Sequence, residues 1–337
     1  MLNLQQHRRL VWPAGSAPVL TVVIDTEEEF DWSAPFSRSN TRTASIAAQP
    51  LAHQRVFDRH GVVPTYVIDW PVATNPAAVR VLRGLMDEGR CQIGTHLHPW
   101  VSPPHEEEVN AFNSYAGNLP PALEYQKIEM LTDAIEKAFG MRPTVFKAGR
   151  YGVGQYTADT IAKLGYAIDA SIVPHTDLSA DGGPDFSAHG VHPFWFQAGG
   201  KTLLELPATA GYAGKLHRIG HKLYPLLQKR NARRIRLPGI ASRSGLLERI
   251  KLTPEGYSSH QLRHLSQCLA KQGCQYFGLT YHSPSLVPGN TSYVKTQQDL
   301  DRFISSLDDY VNFFLNQFGG TTLTLASYLA RANATLR

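Results

Sequence analysis

The first part of the chain alternates regularly between short apolar runs and helical patterns. Residues 19–24 form a β-branched apolar run of strand length, and residues 62–69 and 91–94 follow as further strands. Between them, residues 46–60 and 76–88 carry apolar side chains at helical spacing. Strands and helices that alternate through short connections predict a parallel sheet with helices packed outside it.

The later part of the chain continues this alternation. We predict helices at 121–139, 157–164, 258–271 and 296–318, and strands at 143–146, 165–171, 202–207 and 276–281. Residues 174–200 are rich in Pro, Gly, His and Asp and are interpreted as a loop with a hairpin at Trp195. Residues 323–329 are predicted to form a strand edge and a helix. We expect one domain over residues 1–337, interrupted by an insertion at about 213–252.

The composition narrows the class of protein. A hydrophobic content of 42% and a charged content of 18% are typical of soluble globular proteins. No run of apolar residues is long enough for a transmembrane helix, and no apolar core follows the basic residues 1–9, as a secretory signal would require. The three cysteines have no metal-site spacing and favour a reducing compartment. We therefore expect a cytoplasmic protein.

Residues 213–252 concentrate nearly all of the excess positive charge of a chain whose net charge is +5. Their lysines and arginines are interleaved with aliphatic residues such as Leu216, Ile219 and Leu223, a pattern typical of a basic amphipathic helix. Such a segment is either a solvated helical face or a site of attachment to a polyanionic substrate or an anionic membrane, here at its inner face. Nucleic acid is not expected as a partner, because no recognition motif accompanies the charge.

Polar and titratable side chains follow the carboxyl ends of the predicted strands. They are Asp25, Glu27, His96, His98, Lys147, Arg150, Tyr151, Asp169 and His282. In barrels and open α/β sheets this edge carries the active site. The set offers one carboxylate and two imidazoles for a metal ion, together with a separate carboxylate and histidine for acid–base chemistry.

His96 and His98 lie two residues apart where a strand gives way to a loop. Both side chains therefore point to the same side of an extended backbone and can reach one cation. A site of two histidines and one carboxylate leaves positions open for water and substrate, as hydrolytic metal ions require. The alternative is that these are two unrelated histidines among the 14 of the chain.

Five short motifs, in this order, resemble those of the polysaccharide deacetylase family, also called the NodB-homology or carbohydrate esterase 4 group. The matching segments are residues 23–27, 94–99, 146–152, 166–171 and 279–286. The resemblance covers about residues 18–286 apart from the basic insertion, and it implies an α/β fold of the distorted (β/α)7-type barrel kind. The residues at the motif positions are most similar to those of a bacterial branch of the family associated with lipopolysaccharide biosynthesis.

Three positions depart from the pattern of that family. Thr26 stands where the family has a second, metal-binding Asp, so this role passes to Glu27, with Glu28 in reserve. The two histidines are separated by two positions instead of four. Lys147 holds the Arg position of the third motif, unless Arg150 replaces it. These departures bear on metal binding more than on the fold.

The resemblance implies a hydrolase that removes an N-acyl group, usually acetyl, from an amino sugar of a cell-envelope polysaccharide or lipopolysaccharide precursor. Glu27, His96 and His98 would hold a divalent metal, with Zn²⁺ expected and Co²⁺ an alternative. Asp25 would take a proton from the attacking water. His282 would protonate the leaving amine.

The resemblance and the chemistry imply supporting roles for the remaining candidates. A backbone N–H near Tyr151 would help to stabilise the oxyanion. Asp169 would hold His282, or the cation of Lys147 or Arg150, in place. Candidate faces for stacking against a sugar ring are Trp100, Tyr151 and Trp195.

Two other functions are compatible with the same residues. The first is a C–N amidohydrolase for a small molecule, such as a deformylase or a ureide hydrolase, on the same scaffold. The second is a glycan-binding homologue that has lost catalysis. A long open groove would favour a glycan and a closed pocket a small molecule, and failure to bind metal would favour the silent homologue.

Overall fold

The computed structural model describes residues 7–13, 15–234 and 236–334, with the side chains at positions 232 and 233 excluded. The ends of the predicted domain, residues 1 and 337, lie outside the described residues. The strands are β1 (Arg8–Arg9), β2 (Val19–Thr26), β3 (Thr65–Ile68), β4 (Gln92–Leu97), β5 (Val145–Ala148), β6 (Ile168–Asp169), β7 (Phe194–Ala198), β8 (Lys201–Glu205), β9 (Ala210–Ala213), β10 (Glu248–Lys251), β11 (Tyr276–His282) and β12 (Thr321–Thr322). The α-helices are α1 (Gln49–Ala52), α2 (Asp58–His60), α3 (Trp70–Thr74), α4 (Pro76–Asp87), α5 (Pro121–Phe139), α6 (Thr157–Leu164), α7 (Gly220–Leu227), α8 (Arg230–Arg234), α9 (Leu237–Arg243), α10 (Ser259–Ala270), α11 (Gln297–Asn316) and α12 (Leu325–Ala334).

A curled, mostly parallel sheet forms the centre of the fold. Its parallel strands lie in the order β11-β2-β3-β4-β5-β6-β8, and β7 and β1 extend the β8 edge in antiparallel pairing. All residues of β2 are buried, as expected for a strand of a parallel sheet that is covered on both faces. The predicted (β/α)7-type barrel is confirmed in this distorted form, in which β8 and β11 are not paired with each other.

The antiparallel hairpin of β9 and β10 lies beside the free edge of β11. The amide of Thr209, just before β9, donates to the carbonyl of Gly278 in β11 at 3.2 Å. The amide of Thr280 donates to the carbonyl of Leu252, just after β10, at 3.0 Å. The hairpin therefore covers the edge at which the barrel remains open.

Helices pack on the outside of the sheet and begin and end at residues that satisfy their free backbone groups. Helix α11 begins at a capping box in which Thr296 and Asp299 bond to each other's backbone amide. Helix α5 ends at Gly140, whose left-handed conformation (φ 73°) suits glycine. The apolar faces of both helices are buried in one core with residues of the sheet.

The structure differs from the sequence-based prediction in the basic segment 213–252. Its helical part consists of three short helices, α7, α8 and α9, which lie between the two strands of the β9–β10 hairpin. Pro225 lies inside α7 and Pro238 lies in the first turn of α9. Helix α7 continues past Pro225, whereas Pro238 lies at the boundary of α9, where proline disfavours a helix that continues from the preceding turn and Arg236 has a left-handed backbone (φ 57°). This segment therefore does not form one long amphipathic helix.

Two smaller differences lie nearer to the site. Residues 46–60 form a continuous helical segment, but α1 and α2 are joined there by a π-helical turn, His53–Phe57. Strand β4 extends to Leu97, beyond the predicted end at residue 94, so His96 lies within a strand. Among the described residues, no helix is long and apolar enough to cross a membrane.

Candidate active site at the carboxyl edge of the barrel

Strand register brings the candidate residues to one edge of the sheet. Asp25 in β2 is the direct partner of His282 in the neighbouring β11. His96 in β4 is the direct partner of Lys147 in β5. Because all four residues occupy the carboxyl ends of parallel strands, their side chains line one pocket of about 330 Å³.

Asp25 and Lys147 form a buried ion pair in the wall of this pocket. The ammonium of Lys147 donates to both carboxylate oxygens of Asp25, at 2.6 and 2.7 Å. Burial by itself would raise the pKa of Asp25, but the positive charge of Lys147 outweighs it and holds this pKa below its ordinary value. Asp25 is therefore ionised at neutral pH. Lys147, and not Arg150, is the cation that contacts it.

His282 lies on the other side of Asp25 and is held by Glu255. Its Nδ1 donates to Glu255 Oε2 at 2.8 Å, and its Nε2 is 3.8 Å from Asp25 Oδ2. Burial opposes the charged imidazolium, but Glu255 and the other carboxylates of the site raise the pKa of His282 to about 10. This histidine therefore carries a proton at neutral pH and presents it to the pocket through Nε2.

Glu27, His96 and His98 form a compact group of candidate metal ligands. Glu27 Oε2 is 3.4 Å from His96 Nε2 and 3.4 Å from His98 Nε2. One ligand atom from each residue lies within 4.8 Å of the other two, and all three residues are buried. This geometry is that of a site of two histidines and one carboxylate with positions left for water and substrate.

Contacts behind the imidazoles fix the direction of their ligand atoms. His96 Nδ1 donates to the backbone carbonyl of Lys147 at 3.1 Å. His98 Nδ1 donates to Glu28 Oε2 at 2.8 Å, and Glu28 Oε1 accepts from Trp100 Nε1 at 2.9 Å. Glu28 thus contacts the rear of His98, whereas Glu27 faces the two Nε2 atoms. Such partners fix the tautomer and the orientation of metal-binding histidines.

The protonation of this group also suits a metal ion. Burial lowers the pKa values of His96 and His98 to about 4, so both rings are neutral at physiological pH and offer a lone pair. Burial raises the pKa of Glu27 to about 7, because its charge has too few compensating partners in the pocket. A cation placed among these atoms would compensate that charge, so the residues present fit a divalent metal ion.

A second buried group lies on the far side of His98. Its members, Glu28, Asp69 and His98, also bring three ligand atoms within 4.8 Å of one another. Asp69, however, accepts from the backbone amides of Glu28 and Val72, and Glu28 accepts from Trp100. These atoms are therefore already engaged in hydrogen bonds that support the first group.

Gly149 allows the chain that follows β5 to pass close to His98. A Cβ at this position would lie 2.2 Å from His98 Cδ2 and 2.5 Å from the carbonyl oxygen of Leu97. Both distances are far below van der Waals contact, so only glycine fits here without moving the imidazole. The two residues that follow, Arg150 and Tyr151, both have left-handed backbone conformations, with φ of 53° and 60°.

Arg150 and Tyr151 occupy the rim of the pocket. The guanidinium of Arg150 stacks on the ring of Tyr115, 4.0 Å from its centroid, and bonds to Ser114. Two ammonium groups lie near the ring of Tyr151: Lys147 Nζ is 5.4 Å and Lys251 Nζ 5.8 Å from its centroid. Arg150 therefore shapes the entrance and does not contact Asp25.

The structure corrects the role predicted for Asp169. Its carboxylate accepts from the backbone amide and the hydroxyl of Ser171, and it lies beside Glu205 in β8. Among the described residues, no hydrogen bond or ion pair joins Asp169 to His282 or to the cations of the pocket. Glu255, from the loop after β10, orients His282 instead.

The structure also corrects two of the three predicted sugar-stacking faces. Trp100 is only 1% exposed, because its ring stacks under His98 with centroids 4.3 Å apart. Trp195 is buried in β7, within the second core cluster. Tyr151 does line the pocket, together with Trp32 and Tyr293, which are both about half exposed.

Several residues of the pocket were not identified from the sequence. Trp32, Lys251 and Tyr293 line the pocket from loops or from the hairpin outside the parallel strands, and Glu255 supports it from behind His282. Trp32 could have been found, because it follows the acidic run after β2. For Glu255 no sequence signal exists, because it reaches His282 only through the folding of the hairpin onto β11.

No protein-family model and no curated protein matches this sequence. Solved structures do share its fold. A proposed polysaccharide deacetylase from Mycobacterium smegmatis has a TM-score of 0.54 and 13% identity, over 97% of this chain and 94% of that one. Puue allantoinase has a TM-score of 0.56 and 12% identity, over 96% of this chain and 93% of that one.

A third structure with this fold is larger. The 4-alpha-glucanotransferase from Thermococcus litoralis has a TM-score of 0.52 and 11% identity, over 94% of this chain but only 40% of that one. At these identities the likeness extends to the fold alone.

Proposed function

We propose that this chain is a metal-dependent hydrolase that removes an N-acyl group, with acetyl the first candidate, from an amino sugar. The observation that carries the proposal is the convergence of two groups in one pocket. The candidate metal ligands Glu27, His96 and His98 face the same space as Asp25 and His282, an ionised carboxylate and a protonated histidine. The fold shared with the proposed deacetylase of Mycobacterium smegmatis supports this assignment.

Glu27, His96 and His98 would hold a divalent ion, for which Zn²⁺ is the first candidate and Co²⁺ the second. When bound, such an ion would supply Lewis-acid polarisation of the acyl carbonyl and a lowered pKa for a water molecule. Glu28, through its bond to His98 Nδ1, keeps the Nε2 of that ring directed at the ligand group.

The residues of the chain carry the proton transfers. Asp25, kept ionised by Lys147, accepts a proton from the attacking water as its oxygen bonds to the acyl carbon. His282 donates its Nε2 proton to the amine nitrogen as the C–N bond breaks. The products are a carboxylic acid and a free amino sugar. A backbone N–H near Tyr151 is the proposed further donor to the oxyanion.

The shape of the pocket favours a glycan substrate. A second depression of about 780 Å³ continues from the first and shares with it Phe30, Trp32 and residues 290–292. Trp32 is 52% exposed at this junction and offers an open aromatic face to a sugar ring. We propose that the substrate is a cell-envelope glycan or lipopolysaccharide precursor, processed in the cytoplasm.

A small-molecule C–N hydrolase is the second candidate, and a ureide is its most direct substrate. The fold shared with Puue allantoinase, at a TM-score of 0.56, favours it. Its chemistry would use the same ligands and the same proton donors. Parallel assays with N-acetylated oligosaccharides and with allantoin discriminate between the two, because only a glycan hydrolase gains activity as the oligosaccharide is lengthened beyond one sugar.

The first experiment is elemental analysis of the purified chain beside the variant His96→Ala/His98→Ala. We expect about one zinc-like ion per chain in the parent and a loss of at least tenfold in affinity in the variant, since two of three protein ligands are removed. The matched control is His260→Ala/His264→Ala, which removes two histidines of α10 that lie outside the pocket. This control should retain the metal.

Assay of the loaded protein completes the test. Release of acetate from an N-acetylated glycan by the parent, and not by Asp25→Asn, supports the proposed reaction. A parent chain that binds no metal after incubation with zinc or cobalt, while still binding glycan, contradicts the proposal and supports a silent glycan-binding homologue.

A further inference from the structure

The segment between the two strands of the β9–β10 hairpin carries many charges, all of them positive. We call residues 214–247 the basic platform. It contains nine lysines and arginines and no aspartate or glutamate, in a chain whose net charge is +5. The remainder of the chain is therefore net acidic, and the positive potential of the protein is concentrated on this one segment.

The charges of the basic platform are not neutralised by the protein itself. The described lysines and arginines are all exposed: Lys215, Arg218, Lys222, Lys229, Arg230, Arg234, Arg236 and Arg243. None of them takes part in any of the ion pairs found among the described residues. A solvated helical face commonly alternates both signs of charge, whereas this surface presents one sign only.

Large aliphatic side chains are exposed on the same segment. Leu216, Ile219, Leu226, Ile240 and Leu246 are between 37 and 54% exposed. They make up five of the twelve large hydrophobic residues that are exposed among the described residues, although the basic platform is only about a tenth of the chain. Aliphatic side chains in water beside unpaired cations are costly in a free protein and typical of a surface that is covered in use.

The basic platform is anchored to the body without these aliphatic residues. Gly220 at the start of α7 packs directly against the ring of Tyr212 in β9, where a Cβ would lie 2.4 Å from it. Tyr224 packs on the same ring, with centroids 5.5 Å apart, and Leu247 is buried. The outward leucines and isoleucines are therefore free to contact a partner without unfolding the platform.

We propose that the basic platform docks on an anionic lipid surface. Lipid headgroups match the unpaired cations, and the acyl boundary beneath them takes up the exposed leucine and isoleucine side chains. A nucleic acid would match the charge but not the aliphatic residues, and Tyr224, the only Phe, Tyr or Trp of the platform, is packed on Tyr212 and not open to a base.

The basic platform is joined to the wall of the pocket by one short strand. The basic platform adjoins β10 at Glu248, and Lys251, three residues further along that strand, lines the pocket. Three residues of an extended strand span about 10 Å. A substrate carried on a lipid is therefore the substrate class that docking of the platform would favour.

Sedimentation with vesicles tests the proposal on the full chain. The probes are vesicles of phosphatidylcholine alone and vesicles in which about 30% is replaced by phosphatidylglycerol, both at low ionic strength. We expect co-sedimentation with the anionic vesicles only, and release of most of the protein at roughly 0.5 M salt, where the screening length falls to a few ångströms.

Two variants separate the charge from the aliphatic residues. Lys222→Gln/Lys229→Gln/Arg230→Gln/Arg234→Gln should weaken partitioning by at least about tenfold, since each cation near an anionic surface contributes measurably. Leu226→Ser/Ile240→Ser should weaken it by about tenfold as well, because these side chains would no longer enter the acyl boundary. The matched control, Arg55→Gln/Arg80→Gln/Lys163→Gln/Lys201→Gln, removes four exposed cations elsewhere and should bind as the parent does.

Three results would overturn the proposal. One is equal binding to neutral and anionic vesicles, and another is a control variant as impaired as the platform variant. The third is a Leu226→Ser/Ile240→Ser variant that binds anionic vesicles and duplex DNA as the parent does, which would indicate a general polyanion surface. Metal content and hydrolysis of a soluble substrate should be unchanged in all variants, so failure of this proposal is distinguishable from failure of the proposed function.

Discussion

At the scale of single residues, the pair of Glu255 and His282 sets the protonation of the site. Glu255 accepts from the ring Nδ1 and from the backbone amide of His282, at 2.8 and 3.1 Å. The carboxylate also accepts from the hydroxyl of Ser285. These bonds hold the imidazole towards Asp25 and stabilise its charged form, as carboxylates behind catalytic histidines do.

We expect Glu255→Gln to lower the pKa of His282 from about 10, because the main charge that favours the imidazolium is removed. A general acid is active only while it is protonated, so activity is lost as pH rises through its pKa. The alkaline limb of kcat/KM against pH should therefore move to lower pH, and activity at neutral pH should fall about 10- to 100-fold.

The matched control is Glu248→Gln, which changes a carboxylate of β10 that bonds to Gln261 and not to the pocket. Its pH profile should be that of the parent. A Glu255→Gln variant that loses activity with an unmoved alkaline limb would show that Glu255 has only a structural role.

Gly149 offers a second test at this scale. We expect Gly149→Ala to weaken metal affinity by at least about tenfold, because the new methyl group displaces the His98 ring from the ligand group. Isothermal titration with zinc measures this. Gly84→Ala, in the exposed part of α4 with nothing within 4 Å, should leave affinity unchanged and raise stability by up to about 1 kcal/mol. Unchanged affinity in Gly149→Ala would contradict the assignment of His98 as a ligand.

Some of these residue-level contacts follow from the sequence and some do not. The spacing of His96 and His98 correctly places both rings on one side of β4, because side chains alternate along a strand. The sequence did not show which of Lys147 and Arg150 contacts Asp25. Lys147 points inward from β5, whereas Arg150 is turned outward by a left-handed backbone that no sequence pattern indicates.

At the scale of elements, the loop that follows β4 is held by a buried lysine of α5. Lys127 Nζ donates to the carbonyls of Pro99, Ser102 and Pro104 at 3.0, 2.6 and 2.7 Å. It is also 3.0 Å from Glu107 Oε2. The same loop carries Trp100, whose bond to Glu28 supports His98. The conformation of the loop and the orientation of the ligand group are thereby linked.

We expect Lys127→Met to lower the free energy of unfolding by about 3–5 kcal/mol, because it leaves the carboxylate of Glu107 buried without its partner. Urea denaturation measures this. The double variant Lys127→Met/Glu107→Gln removes the uncompensated charge and should recover part of the loss. A single variant as stable as the parent would contradict the role of Lys127 in holding the loop.

The secondary structure of the basic segment 213–252 was predicted only in part. Its charge and its helical content were both visible in the sequence, and both are present in α7, α8 and α9. The start of α9 as a separate helix is consistent with Pro238 in its first turn and with the left-handed backbone of Arg236, whereas Pro225 lies inside α7 and does not end it. The pairing of β9 with β10 could not be predicted, because it joins residues across a 34-residue excursion.

At the scale of the whole molecule, a buried pair of carboxyl groups makes stability depend on pH. Burial and the neighbouring Asp169 raise the pKa of Glu205 well above its ordinary value, and burial raises that of Asp169 to about 6. The folded protein therefore binds protons that the unfolded chain releases. The contribution of these two groups to the stability of the folded protein is fully present below their ordinary pKa values. It is lost as pH rises through their raised pKa values.

We expect Glu205→Gln to remove most of this loss. Relative to the parent, the variant should have a larger free energy of unfolding at about pH 8 than at about pH 5, because only the parent must bury a second charge at the higher pH. Urea denaturation at the two pH values measures the difference. Glu106→Gln, at an exposed position, should show no such difference, and a pH-independent effect of Glu205→Gln would contradict this account.

The order of the parallel strands was largely accessible from the sequence. Apolar runs of strand length alternate with helical patterns, and consecutive units of this kind place neighbouring strands side by side. The antiparallel edge formed by β7 and β1 was only partly accessible, since the hairpin at Trp195 was expected but the pairing of Arg8 and Arg9 with it was not.

The sequence alone predicts a parallel sheet with helices outside it and the edge at which its polar residues gather, because local periodicity and the direction of parallel strands are encoded in short stretches of chain. The distorted barrel was expected only from the resemblance of five short motifs to a known family. Only the tertiary structure decided that Glu255 supports His282, that Glu205 accompanies Asp169, and that Trp100 is buried beneath His98. These contacts join segments far apart in the chain, and their geometry exists only after the sheet has curled and its loops have packed.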